Sequence, residues 1–206
     1  MEIFKEISLE EAIKLIEAGE SVLNDEIIDE LKAFYEVAGK IILYSGETNL
    51  ENLLVGNDIV LVNGNLNVAG IIEDCEKVDT SLLIVLGNVN CKSLITLSSM
   101  SISGDLNVEN VILGDSLCDY VLNVGGNIVT KTILDYGHCI ISEKTITATD
   151  VFSFNAVEDE DGTVEPNLER EDLVDEIIDF DEDEKMENLS KTVAYIKRGG
   201  QIFRIS

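Results

Sequence analysis

Few residues in this chain are of types that carry out chemistry at neutral pH. There is one histidine, His138, and there are four cysteines, Cys75, Cys91, Cys118 and Cys139. A thiol–imidazole dyad of Cys139 and His138 needs both side chains on one face, whereas consecutive residues of a strand point to opposite faces. The expectation is a surface histidine next to a core cysteine. Cys91 also lies in an apolar run and reads as a small core residue. Cys75 and Cys118 fall in loop-like segments and could be reactive, but nothing nearby is basic enough to hold a thiolate. No C-x-x-C spacing occurs, and a single histidine leaves few candidate ligands for zinc. Asp58, Asp105, Glu109 and Glu143 are scattered, as are Lys92, Lys131 and Lys144, so no acid pair for glycoside cleavage stands out. Val124-Gly125-Gly126-Asn127 lacks the glycine spacing and following helix of a phosphate loop. Asp159-Glu160-Asp161-Gly162 and the acidic run at 179–184 do not match the EF-hand pattern. The residues therefore predict a protein that is not an enzyme, with no catalytic residue, no cofactor and no metal.

Charge is the other chemistry available. With 41 Asp and Glu against 14 Lys and Arg, the net charge is -27. Such a surface repels phosphate, so nucleic acid and anionic membrane are excluded as partners, and a basic protein is the natural complement. The alternative is that the charge only keeps an edge-rich fold soluble. Residues 158–187 hold 16 acidic and two basic residues (Arg170 and Lys185), and 16 against 2 leaves -14, about half the total. Leu173, Val174, Ile177 and Ile178 run through this tract as an apolar stripe, so it is more than a floppy tail. The candidate partner-binding residues are Asp172, Asp175, Glu176, Asp179, Asp181, Glu182, Asp183 and Glu184.

Three regions must position these groups. Residues 1–40 read as an N-terminal helical cap. Ser8 and Glu11 form a capping-box pattern ahead of the stripe Leu9, Ala12, Ile13 and Ile16, and Asn24 or Asp25 can cap a second helix with Ile27, Ile28, Leu31 and Phe34. Residues 41–156 change character, with short apolar alternations broken by Gly-Asn or Gly-Asp. Val62-Asn63-Gly64-Asn65-Leu66-Asn67-Val68 recurs at 85–91, 102–108 and 124–130, and a degenerate fifth copy without glycine spans 141–147. The glycine positions are spaced 23, 17, 22 and 17 residues apart, counting 143 as the fifth. Two longer coils therefore carry extra residues at matching places, near Glu73–Asp79 and Gly114–Tyr120.

Such periodicity predicts a mainly β protein: a short right-handed parallel β-solenoid of about five coils. Val62, Val85, Ile102, Val124 and Ile141 should form one inward column. Val60, Leu83, Met100, Leu122 and Cys139 should form another. Glycine is expected to supply a positive φ at each corner, with Asn65, Asn88, Asp105 and Asn127 stacked beside it. Residues 157–206 read as an acidic C-terminal helical region, its end at 196–203 echoing the helix, glycine and apolar strand of 16–23.

At these L-x-V-x-G-[ND]-[LVI]-x-V units, over residues 53–150, the chain resembles the bactofilin-like, polymer-forming β-solenoid proteins of bacteria. The resemblance implies a solenoid without catalysis that assembles end to end. Helical caps and alternating loops depart from that family and would block stacking. The leading functional expectation is a non-enzymatic acidic protein-binding module of immunity type that inhibits a basic bacterial toxin domain. A self-associating scaffold of bactofilin-like type is the alternative, and a saccharide- or acyl-modifying enzyme would require a convergent polar cleft. The N-terminus lacks the order of a secretory signal and no apolar run is long enough to span a bilayer, so the expected location is cytoplasmic.

Overall fold

The structure, a computed structural model, describes residues 4–74, 81–116, 119–155, 157–181 and 184–203. Cys75 and Cys118 lie outside the described residues.

The chain winds into six turns of a parallel β-solenoid. The first turn comprises β2 (Ile41–Ser45), β3 (Thr48–Leu50) and β4 (Leu53–Leu54), after an N-terminal strand β1 (Phe4–Ile7). The next five turns pair a short strand with a long one: β5 (Ile59–Asn63) and β6 (Leu66–Glu73), β7 (Leu82–Val85) and β8 (Val89–Thr96), β9 (Ser99–Ile102) and β10 (Leu106–Gly114), β11 (Val121–Val124) and β12 (Ile128–Asp135), β13 (Cys139–Ser142) and β14 (Ile146–Ser153). Short strands stack into one sheet in the order β1-β2-β5-β7-β9-β11-β13-β15-β16, closed by the hairpin β15 (Val157–Asp159) and β16 (Gly162–Thr163). Long strands stack into a second sheet, β14-β12-β10-β8-β6-β3. Ile41–Leu54 is a turn that the repeat pattern did not reveal, because Tyr44-Ser45-Gly46-Glu47 carries an acid where the other units carry an amide or aspartate.

The columns form, with one slip. Tyr44, Val62, Val85, Ile102 and Val124 are aligned in successive strands, and so are Ile42, Val60, Leu83, Met100 and Leu122. In the last turn the aligned residues are Ser142 and Ile140, not Ile141 and Cys139. Because the side-chain period is two, a shift of one residue turns Ile141 and Cys139 to the outer face, where both are half-buried. Without a glycine to mark the corner, Ile128 pairs with Ile146, and the spacing from Gly126 becomes 18 residues, ending at Lys144. Ser142 ends an otherwise aliphatic and aromatic column; it is buried, and its hydroxyl donates to the Gly126 carbonyl at 2.7 Å.

Glycine is needed at the corners mainly for a reason other than φ. Only Gly46 and Gly64 of this series have positive φ, 81° and 143°. At Gly87 an added Cβ would lie 2.6 Å from the Gly64 carbonyl oxygen, and at Gly104 it would lie 2.3 Å from Asn88 Oδ1. Successive corners approach too closely to admit a side chain. The polar residue beside each glycine tightens the stack. Asn65, Asn88 and Asp105 each accept through Oδ1 from the backbone N–H of the next corner, at 2.8–2.9 Å.

The helical segments near both ends of the chain pack against the outward faces of the two sheets. α1 (Leu9–Glu17) starts at Ser8, whose hydroxyl accepts from the Glu11 N–H while Glu11 accepts from the Ser8 N–H. α2 (Asn24–Ala38) begins at Leu23 with no side-chain cap; Asn24 already lies in the helix and donates to the Gly19 carbonyl. Ala12, Ile16, Ile27, Leu31 and Phe34 pack on Ile41, Leu43, Ile59, Leu61, Leu82 and Ile84, the outward face of the first sheet. Both edges of that sheet end in antiparallel pairs, β1 on β2 and β16 on β15. Phe4–Ile7 is thus a strand within a stretch expected to be helical, held by its pairing partner.

Candidate functional site

The acidic tract begins in the β15–β16 hairpin at the edge of the first sheet, and its part at 168–178 is laid along the outer flank of the second sheet. Residues Arg170–Asp172 and Asp175–Ile177 form 3-10 turns, Ile178–Asp181 (β17) and Glu184–Glu187 (β18) form a hairpin, and helix is confined to α3 (Leu189–Lys197). The apolar stripe read from the sequence is therefore not α-helical, yet it anchors the tract. Leu173, Ile177, Ile178, Ile196, Ile202 and Phe203 are buried against Ile95, Val111, Leu113, Leu134 and Phe152. Val174 N–H donates to the Ile202 carbonyl at 3.0 Å, and Lys197 Nζ lies 2.6 Å from Oε2 of the buried Glu73, the last residue of β6. The helix-and-glycine ending recurs at both termini, but only Ile202–Phe203 goes on to a β-bridge, with Leu173; after Gly19 the chain enters α2.

Asp172, Asp175 and Glu176 are exposed, pointing away from the three buried aliphatics between and beside them. Asp172 also accepts from the Glu169 N–H at 2.9 Å, which fixes the first 3-10 turn. Asp179, Asp181 and Glu184 lie on the β17–β18 hairpin, where only the backbone path is described, and Glu182 and Asp183 lie outside the described residues. The structure thus brings Asp172, Asp175 and Glu176 together on one anchored segment.

A second surface was not expected from the sequence. An open groove of about 840 Å³ runs along the first halves of β6, β8, β10 and β12. Its floor is a row of side-chain amides. Asn67 Nδ2 donates to Asn49 Oδ1 at 3.3 Å, Asn90 to Asn67 at 2.9 Å and Asn107 to Asn90 at 3.2 Å. These four asparagines each stand three residues after a corner glycine, a recurrence legible in the repeats. Val129 takes the next place in the row. Glu51, Glu109 and Lys131 also line the groove, with Cys91 beneath it, whose thiol burial pushes up to about 12. Glu51 and Glu109 sit three coils apart, about 14 Å at the usual strand spacing. Glycoside cleavage needs two carboxyl groups closer than about 10 Å. The groove can bind but offers no cleaving pair among the described residues.

His138 is in neither surface. Contrary to the surface position expected for it, it is fully buried, packed over Gly114, with Nδ1 2.9 Å from Ser116 Oγ. Its Nε2 is buried with no hydrogen-bond partner, and burial lowers its pKa to about 4. Asp135 accepts from the backbone N–H groups of Gly137 and His138, not from the imidazole, so it does not orient the ring as a triad acid would. Its other oxygen accepts from Ser153 Oγ at 2.6 Å and from the Asn155 N–H at 2.8 Å. Asp74 plays the same part at the equivalent corner three turns earlier, accepting from Thr96 Oγ1 and from the N–H groups of Leu97 and Ser98. These buried carboxylates are corner posts of the solenoid. Cys139, half-buried, accepts from Asn155 Nδ2 at 3.3 Å.

Among the described residues no group of three or more His, Cys, Asp or Glu could hold a metal ion, and no helix is long and apolar enough to cross a membrane. Comparison of the chain with protein-family models, with curated proteins and with solved structures returns no match.

Proposed function

We propose that the protein is a non-enzymatic binding module that recognises a basic protein through its acidic flank. The observation that carries this reading is the anchoring of the acidic tract. A purely solubilising tract has no need of a buried face, whereas Leu173, Ile177 and Ile178 are buried and hold Asp172, Asp175 and Glu176 outward on a fixed segment. Preordered charge loses less entropy on binding than charge on a free tail, and complementary potential speeds encounter. An immunity-type role, in which the module neutralises a basic toxin domain, fits that chemistry. The bactofilin-like scaffold reading is opposed by β1 and β16, which close both edges of the first sheet with antiparallel strands.

The test is affinity purification from the native host with the wild-type chain and with a variant carrying Glu171→Gln, Asp172→Asn, Asp175→Asn and Glu176→Gln. The expected result is a basic protein held 1:1 by the wild type, released by salt and not retained by the variant. Equal retention by both chains, or the absence of any basic partner, would remove the reading.

A further inference from the structure

We propose that the amide-floored groove of the second sheet binds a neutral, extended oligosaccharide. This goes beyond the acidic flank and does not depend on it.

The argument begins with hydrogen-bonding valence. A primary amide has two N–H donors and two acceptor lone pairs. In the row, Asn90 spends one donor on Asn67 and one lone pair on Asn107, and Asn107 spends one donor on Asn90. Asn67 spends its donors on Asn49 and Glu47. Asn90 and Asn107 are both exposed and keep an N–H and a lone pair with no further partner among the described residues; Asn67 keeps a lone pair. The groove therefore presents donor and acceptor capacity side by side, repeated at the coil spacing. A hydroxyl is the ligand group that donates and accepts at one atom.

Pitch separates the possible chains. Coils repeat at about 4.8 Å, whereas an extended peptide repeats its outward groups at about 6.7 Å, two residues apart, and falls out of step after one pair. A pyranosyl unit advances a glycan by close to one coil. Charge separates them further. With a net charge of -27, a polyanionic glycan or nucleic acid is repelled from any face of the molecule. Glu51 and Glu109 are partly offset by Lys131 and stand apart along the groove, so a basic chain meets no dense acidic cluster there beyond the general field of the molecule. With no acid pair in reach of one glycosidic bond among the described residues that line the groove, the ligand is held and not cut.

The experiment follows the side-chain amide resonances of the full chain by NMR as cellohexaose, chitohexaose, xylohexaose, maltohexaose and a hexalysine peptide are added in turn. At least one neutral hexasaccharide is expected to shift the Asn67, Asn90 and Asn107 amides, with an affinity unchanged between low and high salt. Asn90→Thr and Asn107→Thr should each weaken binding about tenfold. Threonine already stands at the same place in the row at Thr147, so the fold tolerates it. The proposal is overturned if no neutral hexasaccharide in the series moves these amides, if hexalysine alone moves them, or if both threonine variants bind as the wild type does. A salt-independent glycan complex would stand even if the acidic flank captured no basic protein, and a failed glycan titration would leave the flank untouched.

Discussion

At the scale of single residues, the corner beneath the second long coil sets two titrations against each other. His138 is buried without a charge partner, and its pKa falls from 6.5 to about 4. Between those values the unfolded chain takes up a proton that the folded protein refuses. The contribution of His138 is complete above pH 6.5 and is lost as pH falls toward 4, by about 3 kcal/mol. Asp115 moves the other way. Burial, and then repulsion from Asp135, raises its pKa from 3.8 to about 6. The folded protein there keeps a proton that the unfolded chain releases, so the contribution of Asp115 is complete below pH 3.8 and is lost as pH rises toward 6. Over the shared window the two oppose each other. Asp115→Asn should therefore lose more stability than the wild type between pH 6.5 and 4.5 in urea denaturation, and His138→Gln should lose less. Parallel pH profiles for all three proteins would show that this corner does not govern acid sensitivity. Composition could suggest a titratable corner, since His138 is the only histidine, but not its burial. Ser116, on the preceding turn, and Gly114, which leaves room for the ring, determine that, and both are distant in sequence.

At the scale of elements, the repeats were legible because sheet pairing writes the same residue type at the same phase of every turn. The fifth copy could not be aligned from the chain because Ser142-Glu143-Lys144-Thr145 lacks the close-approach glycine that marks phase in the others. The first turn was hidden for a related reason, Glu47 standing where its stacked partner is Asn65. Flanking helices were legible as amphipathic segments, but their place on the sheet was not. The outward residues Ile41, Leu43, Ile59, Leu61, Leu82 and Ile84 make the early short strands apolar on both faces, which signals cover on the outer side. The same double-sided pattern in β8, β10 and β12, through Ile95, Leu113 and Leu134, marks where the C-terminal segment docks. Leu173→Ala and Ile177→Ala should each cost about 2–5 kcal/mol locally. The expected sign is faster amide exchange over 168–203, with protection in β7–β12 unchanged. If the loss spread evenly through the solenoid strands, the C-terminal segment would be part of one cooperative core and not a separately anchored flank.

At the scale of the whole molecule, charge makes salt act with opposite signs on stability and on association. The like charges of a -27 surface repel one another in the compact state and less so in an expanded chain, so unscreened repulsion favours unfolding. With 41 acidic against 14 basic residues, most carboxylates have no cation to pair with. Lys14–Glu10, Lys32–Asp29 and Lys40–Asp58 are largely exposed and worth little, whereas Lys197–Glu73 has a mostly buried partner. Raising the ionic strength from about 0.01 M to about 0.15 M shortens the screening length from roughly 30 Å to roughly 8 Å. That removes repulsion across the molecule while leaving the aliphatic columns untouched. The free protein should therefore melt at a higher temperature in the higher salt. Binding of a basic partner at Asp172, Asp175 and Glu176 draws on the same field as attraction, so its association rate should fall over the same range. Calorimetric melts and stopped-flow association on one salt series measure both. A melting temperature that fell with salt would mean that local ion pairs outweigh the net charge, and it would weaken the case that the acidic surface is kept, at a cost to the fold, for what it meets.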